Sequence, residues 1–284
     1  MKMTVGMIGA VVMAAFGTYY FQNKKRNRKR ALLCKALATA VPGVLPVLSL
    51  GGILTGGSES GGISGWTGGG AVSGWAVGVD LQAAFAGTLA AIVFYMAADV
   101  LLECRFIWGA VCFGIGHICM AAGFLLSGES VLHPGENGGY VVDGGLLGLA
   151  LALCALFAAA ACAALHRYFH SLRKKKLLYP LLVYVLVLSM MAALAVTAGV
   201  RIFYLDCYGD FGGMSAAGDP VPAAGGAFFA ARGLAAAAGG LCFAVSDVLL
   251  GRNRLGKRRS TVCGALVLIL YYAAVYLFAM RLWL

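Results

Sequence analysis

The sequence predicts an all-α, polytopic integral membrane protein with eight transmembrane helices. Three observations predict it. Hydrophobic residues make up 61% of the 284 residues and charged ones 12%, with a mean hydropathy of +0.88. Apolar stretches long enough to cross a bilayer, about 18 residues or more, recur along the whole chain. The basic residues fall in every second connection between those stretches, which is the asymmetry that orients helices in a membrane.

The expected spans, in order, are residues 3–21, 31–54, 81–103, 106–127, 144–165, 177–200, 223–250 and 262–283. The first has no basic region before it beyond Lys2, and no small-residue cleavage site ahead of the basic run. It therefore reads as a retained helix rather than a signal peptide. The connections 22–30, 104–105, 166–176 and 251–261 carry the bases, as in Lys24-Lys25-Arg26-Asn27-Arg28-Lys29-Arg30 and Arg173-Lys174-Lys175-Lys176. The alternate connections are nearly devoid of Lys and Arg. Residues 51–80 are Gly/Ser-rich, with Trp66 and Trp75 expected at headgroup level, and 128–143 and 201–222 are Gly/Pro/Asp-rich loops. The basic loops are expected in the cytoplasm and both termini outside, in a bacterial cell membrane.

The net charge of +11 is thus an orientation signal and a contact for anionic headgroups. Membrane lipids are the expected partners and nucleic acid is not. Of nine cysteines, only Cys207 falls in an outer loop, and there is no C-x-x-C. They read as small packing residues, and no disulfide framework, metal site or cofactor is expected. Motifs of serine hydrolases, zinc proteases and P-loop enzymes are absent.

One tetrapeptide occurs twice, as Asp99-Val100-Leu101-Leu102 and Asp247-Val248-Leu249-Leu250. Each copy ends a long apolar segment and is soon followed by bases. The third and seventh helices that carry them run the same way, four spans apart. The chain reads as one transmembrane domain, 1–284, with candidate parallel repeats at 1–143 and 144–284.

A carboxylate within a span is costly in lipid, so it faces a bundle interior or wet cavity and is a functional-site hypothesis. Asp99 and Asp247 are the leading candidates, with Ser246 beside the second and Tyr95 one turn before the first. Glu103 shares a helical face with Asp99 but lies at the boundary, where a solvated carboxylate is expected. His117 lies about 16 Å into the fourth helix, near mid-membrane, where its imidazole needs a partner. Lys35, about one turn into the second helix, either snorkels to the headgroups or faces an aspartate or a lipid phosphate. Arg232 lies about 22 Å along the helix from Asp247 and is expected in the outer headgroup zone. Tyr271 and Tyr272 lie mid-helix, with Tyr272 taken as a supporting candidate.

Four patches resemble the YhhN family of eight-helix membrane proteins, the lysoplasmalogenases. Cys34-Lys35-Ala36-Leu37 followed by Pro42 is similar to the family's Lys-Pro-Leu patch, and Ala98-Asp99-Val100-Leu101-Leu102 to its Gly-Asp-x-x-Leu. Phe113 through His117 resembles its Phe-x-x-x-His, and Gly240 through Asp247 its Gly-Ala-x-x-Phe-x-x-Ser-Asp. Ala36, Ala98, Met120 and Val275 depart from the family's usual proline, glycine, tyrosine and glutamine.

The resemblance implies hydrolysis of the vinyl-ether bond of a lysoplasmalogen, a lysophospholipid, to a long-chain aldehyde and a glycerophospho-base. That chemistry needs a carboxylic acid to protonate the β-carbon and a second carboxylate to steady the cation or activate water. Asp99 and Asp247 are the implied pair, either one the acid. Lys35 is the candidate for the substrate phosphate and His117 for orienting an aspartate or water. Parallel repeats with intramembrane carboxylates also describe a proton-coupled carrier of small molecules or lipids, and a non-catalytic lipid-binding scaffold is the third class.

Overall fold

Lipid offers no hydrogen bonds to a backbone, so a span satisfies its own amides as a helix. A computed structural model describes residues 2–54, 81–134, 139–212, 226–256 and 260–283. Its helices are α1 (Lys2–Asn23), α2 (Arg28–Leu54), α3 (Leu81–Cys104), α4 (Phe106–Leu126), α5 (Gly144–Leu165), the short α6 (Phe169–Lys174), α7 (Leu178–Gly212), α8 (Gly226–Leu255) and α9 (Thr261–Trp283). All but α6 are long and apolar enough to cross a membrane. The chain is a polytopic all-α protein, and the eight expected spans correspond to α1–α5 and α7–α9. Trp66 and Trp75 lie outside the described residues.

Parts of two segments expected as loops form regular structure. The connection after α4 forms an antiparallel hairpin, β1 (Leu132–Pro134) with β2 (Tyr140–Val142), pairing Leu132 with Val142. Asp143 then caps α5, its side chain accepting from the Leu146 amide at 2.9 Å, which satisfies one of the orphan donors of a helix start. The α7 helix runs on to Gly212, so Cys207 belongs to a helix. Between α5 and α6 the chain makes a single 3₁₀ turn, His166–Tyr168.

The helices form a ring. Neighbours in contact run α2–α3, α3–α4, α4–α7, α7–α8, α8–α9 and α9 back to α2. Outside it, α1 packs on α2 and α5 packs on α7. Small residues set the closeness of these crossings, as expected where lipid offers no hydrophobic drive between helices. At Gly87 and Gly123 the backbones of α3 and α4 meet so tightly that a Cβ at Gly87 would lie 2.5 Å from the Gly123 Cα. The outward faces are apolar, with Val11, Val93, Ile118, Leu151, Val183 and Ile269 exposed. The interior is aromatic, with Tyr95, Phe124, Phe243 and Phe278 fully buried.

At the end of the ring away from the basic loops, Glu129 is buried between two arginines. Arg281 Nη1 lies 3.0 Å from its Oε2 and Arg232 Nη2 3.3 Å from its Oε1. Arg232 also donates to the Arg281 carbonyl at 3.1 Å, and the Arg281 guanidinium lies 4.0 Å over the Phe124 ring. Arg232 is therefore buried in protein. Its partner Glu129, 103 residues away, makes that burial tolerable, because a buried charge needs a paired counter-charge.

Candidate active site

Helical spacing brings the site together. Lys35 and Thr39 lie one turn apart on α2, Asp99 and Glu103 on α3, Phe113 and His117 on α4, and Phe243 and Asp247 on α8, so each pair shares a face. Between the basic ends of these helices lies a cavity of about 500 Å³ lined by Lys35, Asp99, Glu103, Ser246, Asp247 and Tyr271, among others. Its mouth is formed by exposed residues of the basic end, including Lys24, Lys25, Ser260 and Thr261.

Asp99 is 1% exposed. Its Oδ1 lies 3.2 Å from Lys35 Nζ. Its Oδ2 accepts from the Thr39 hydroxyl and, at 3.0 Å, from Tyr271. The Lys35 ammonium also reaches the Asp99 carbonyl at 3.4 Å. Lys35 thus turns inward to an aspartate rather than outward to headgroups.

Asp247 has a different set. Its Oδ2 accepts from the Tyr184 hydroxyl and lies 3.3 Å from His117 Nε2. The other imidazole nitrogen, Nδ1, lies 3.0 Å from the Tyr95 hydroxyl. Tyr95 lies flat on α4 because Gly116 leaves room for it; a Cβ there would collide with the ring. Phe243 and Phe113 fill the space between the two aspartate clusters. Phe243 lies 4.7 Å from His117 and 5.5 Å from Tyr271, and Phe113 lies 5.5 Å from Tyr271. The polar groups therefore meet the cavity against an aromatic wall.

The two clusters follow one plan. Asp99 on α3 is held by the preceding helix, α2, and by α9. Asp247 on α8 is held by the preceding membrane-spanning helix, α7, and by α4. Each aspartate thus draws a partner from the last helix of the other half of the chain.

Ser246 lines the cavity and donates its hydroxyl to the Val267 carbonyl at 3.1 Å. Of the tyrosine pair on α9, Tyr271 reaches Asp99, while the buried Tyr272 hydroxyl has no hydrogen-bond partner among the described residues. Glu103 is not a free interfacial carboxylate. Its Oε1 accepts from Tyr20 at 2.9 Å and from Arg254 Nη2 at 2.9 Å, and lies 4.0 Å from Lys35. Thr39 and Tyr184 carried no signal of their own in the sequence, being ordinary hydroxyl residues, and Arg254 stood out only as one of the bases that follow the second Asp-Val-Leu-Leu. The i+4 spacing of Thr39 from Lys35 was the one available hint. No group of His, Cys, Asp and Glu suited to a metal ion occurs among the described residues.

Fold and site together define a polytopic helical membrane protein with two buried aspartates, differently partnered, lining one cavity at its basic end. The family model of the YhhN family matches residues 74–282, and the chain belongs to that family. The match covers both aspartates and His117, and the Lys35 patch precedes it. Comparison with curated proteins and with solved structures returns no match.

Proposed function

We propose that the protein is a membrane-embedded hydrolase that cleaves the vinyl-ether bond of lysoplasmalogens, releasing a long-chain aldehyde and a glycerophospho-base. The observation that carries this reading is the pair of aspartates with unlike partners lining one cavity. Vinyl-ether hydrolysis needs two unlike carboxyl groups. Asp99, ion-paired with Lys35, is the carboxylate. Asp247, which meets hydroxyl and imidazole groups, is the proton donor.

The Asp247 carboxyl gives its proton to the β-carbon of the enol ether, and the double-bond electrons form the new C–H bond. The positive charge spreads over the α-carbon and ether oxygen, where the Asp99 carboxylate opposes it. Water adds to the α-carbon and passes a proton back to Asp247. The resulting hemiacetal gives up its hydroxyl proton, the glycerol oxygen takes one as its C–O bond breaks, and the aldehyde and the glycerophospho-base leave. His117, braced by Tyr95, holds the Asp247 carboxyl toward the cavity. Tyr271 and Thr39 do the same for Asp99.

The basic end is assigned to the cytoplasm on the charge asymmetry, so the substrate comes from the inner leaflet. Incubation of purified protein with lysoplasmalogen and ester lysolipids, with products identified by mass spectrometry, tests the reading. Aldehyde released from the vinyl ether supports it. An intact vinyl ether beside hydrolysed esters rejects it. Proton-driven uptake into vesicles without covalent change would instead indicate the carrier.

A further inference from the structure

We propose that Lys24, Lys25 and Arg254, at the mouth of the cavity, bind the phosphate of a single-chain phospholipid. The inference rests on the functional reading above for what lies over the aspartates, and on the cavity itself for the phosphate.

Lys35, the cation placed for a phosphate on sequence grounds, is already engaged. Its side chain is 7% exposed, with Nζ 3.2 Å from Asp99 Oδ1. The cations left along the cavity are at the rim. Lys24 and Lys25 are exposed at the end of α1, and Lys24 Nζ lies 4.5 Å over the Phe21 ring. Arg254 pairs with Glu103 at 2.9 Å. One carboxylate against three cations leaves the rim with two positive charges in excess. A phosphodiester carries one negative charge, so the rim attracts it.

The spacing suits the same lipid. Asp247 and Arg254 are seven residues apart on α8, about 10 Å along its axis. The glycerol bridge between the enol-ether carbon and the phosphorus of a lysoplasmalogen spans a similar length. A phosphate at the rim therefore sets the enol ether over the aspartates, while Leu102, Leu250 and Leu268 line the wall beside it.

The test uses the full chain in nanodiscs and lipids that cannot be cleaved: saturated 1-alkyl lysophosphocholine, 1-alkyl lysophosphoethanolamine and 1-alkylglycerol, with inorganic phosphate as competitor. The two phospholipids should each bind at least about tenfold tighter than the alkylglycerol, since each basic group near a membrane surface adds roughly fivefold. The exposed pair changed together, Lys24→Gln with Lys25→Gln, should collapse that preference, as should Arg254→Gln and high salt. Equal binding of alkylglycerol, or an undiminished preference in the folded double variant, overturns the proposal. So does inorganic phosphate competing at the lipid's own concentration, which would mark a small-anion site. Because these lipids carry no vinyl ether, the result stands whether or not the protein is a hydrolase. Preserved binding with no cleavage of lysoplasmalogen would reject the hydrolase reading alone.

Discussion

The two aspartates differ in what surrounds them, and substitutions should expose that difference. Asp247→Asn should lower kcat by at least about two orders of magnitude, the usual contribution of a general acid–base group, and Asp99→Asn by a similar factor through loss of the charge that opposes the cation, with the protein still monodisperse in detergent. Lys35→Met should behave otherwise. It leaves Asp99 buried without its cation, a defect worth about 3–5 kcal/mol. Thermal unfolding should therefore show a large loss of stability, partly restored by adding Asp99→Asn. A finer contrast lies one residue apart. Tyr271→Phe removes a hydrogen bond to Asp99 and should cost about tenfold or more in kcat. Tyr272→Phe removes a hydroxyl with no hydrogen-bond partner among the described residues and should leave turnover near wild type. Which of these adjacent tyrosines faces the aspartate was not legible beforehand, because both sit mid-span and only the rotation of α9 separates them. The aspartates were legible because a carboxylate in an apolar segment has few bland explanations. Thr39 and Tyr184 were not, because hydroxyl residues in a bundle are common and their partners lie 60 and 63 residues away.

At the scale of elements, the spans could be read closely, since twenty-odd apolar residues between basic clusters admit one structure in lipid. The hairpin after α4 could not, because three-residue strands leave no periodic signal. The extension of α7 beyond residue 200 was hidden for a similar reason, its polar residues imitating a loop. The backbone contact at Gly87 and Gly123 makes a sharp prediction. Gly123→Leu should push α4 from α3, displace His117 from Asp247, and lower both expression and thermal stability. A variant as stable as wild type would show that the crossing is looser than implied by the 3.2 Å that a Cβ at Gly123 would leave to the Gly87 Cα. Orientation is tested on α6. A single cysteine at Ser171, in a chain cleared of other cysteines, should resist an impermeant thiol reagent in intact cells and react in inverted vesicles.

For the whole molecule, the neighbour pattern repeats, with α1 on α2 and α5 on α7 flanking one ring. If the chain is a duplication, superposing α1–α4 on α5 and α7–α9 should carry Asp99 onto Asp247 and bring α9 onto α4, the two helices that brace the opposite aspartate. Candidate repeats could be suspected from a repeated tetrapeptide. The exchange of partners between halves could not, since it depends on how the ring closes. The buried ion cluster at the other end of that ring has a consequence of its own. If Glu129, paired with Arg232 and Arg281, seals that end, the cavity is filled from one solution. The membrane voltage should then fall mainly across the sealed half. In proteoliposomes of fixed orientation, turnover should follow the pH on the basic side, ignore the pH on the other, and stay constant when a potential of either sign is imposed.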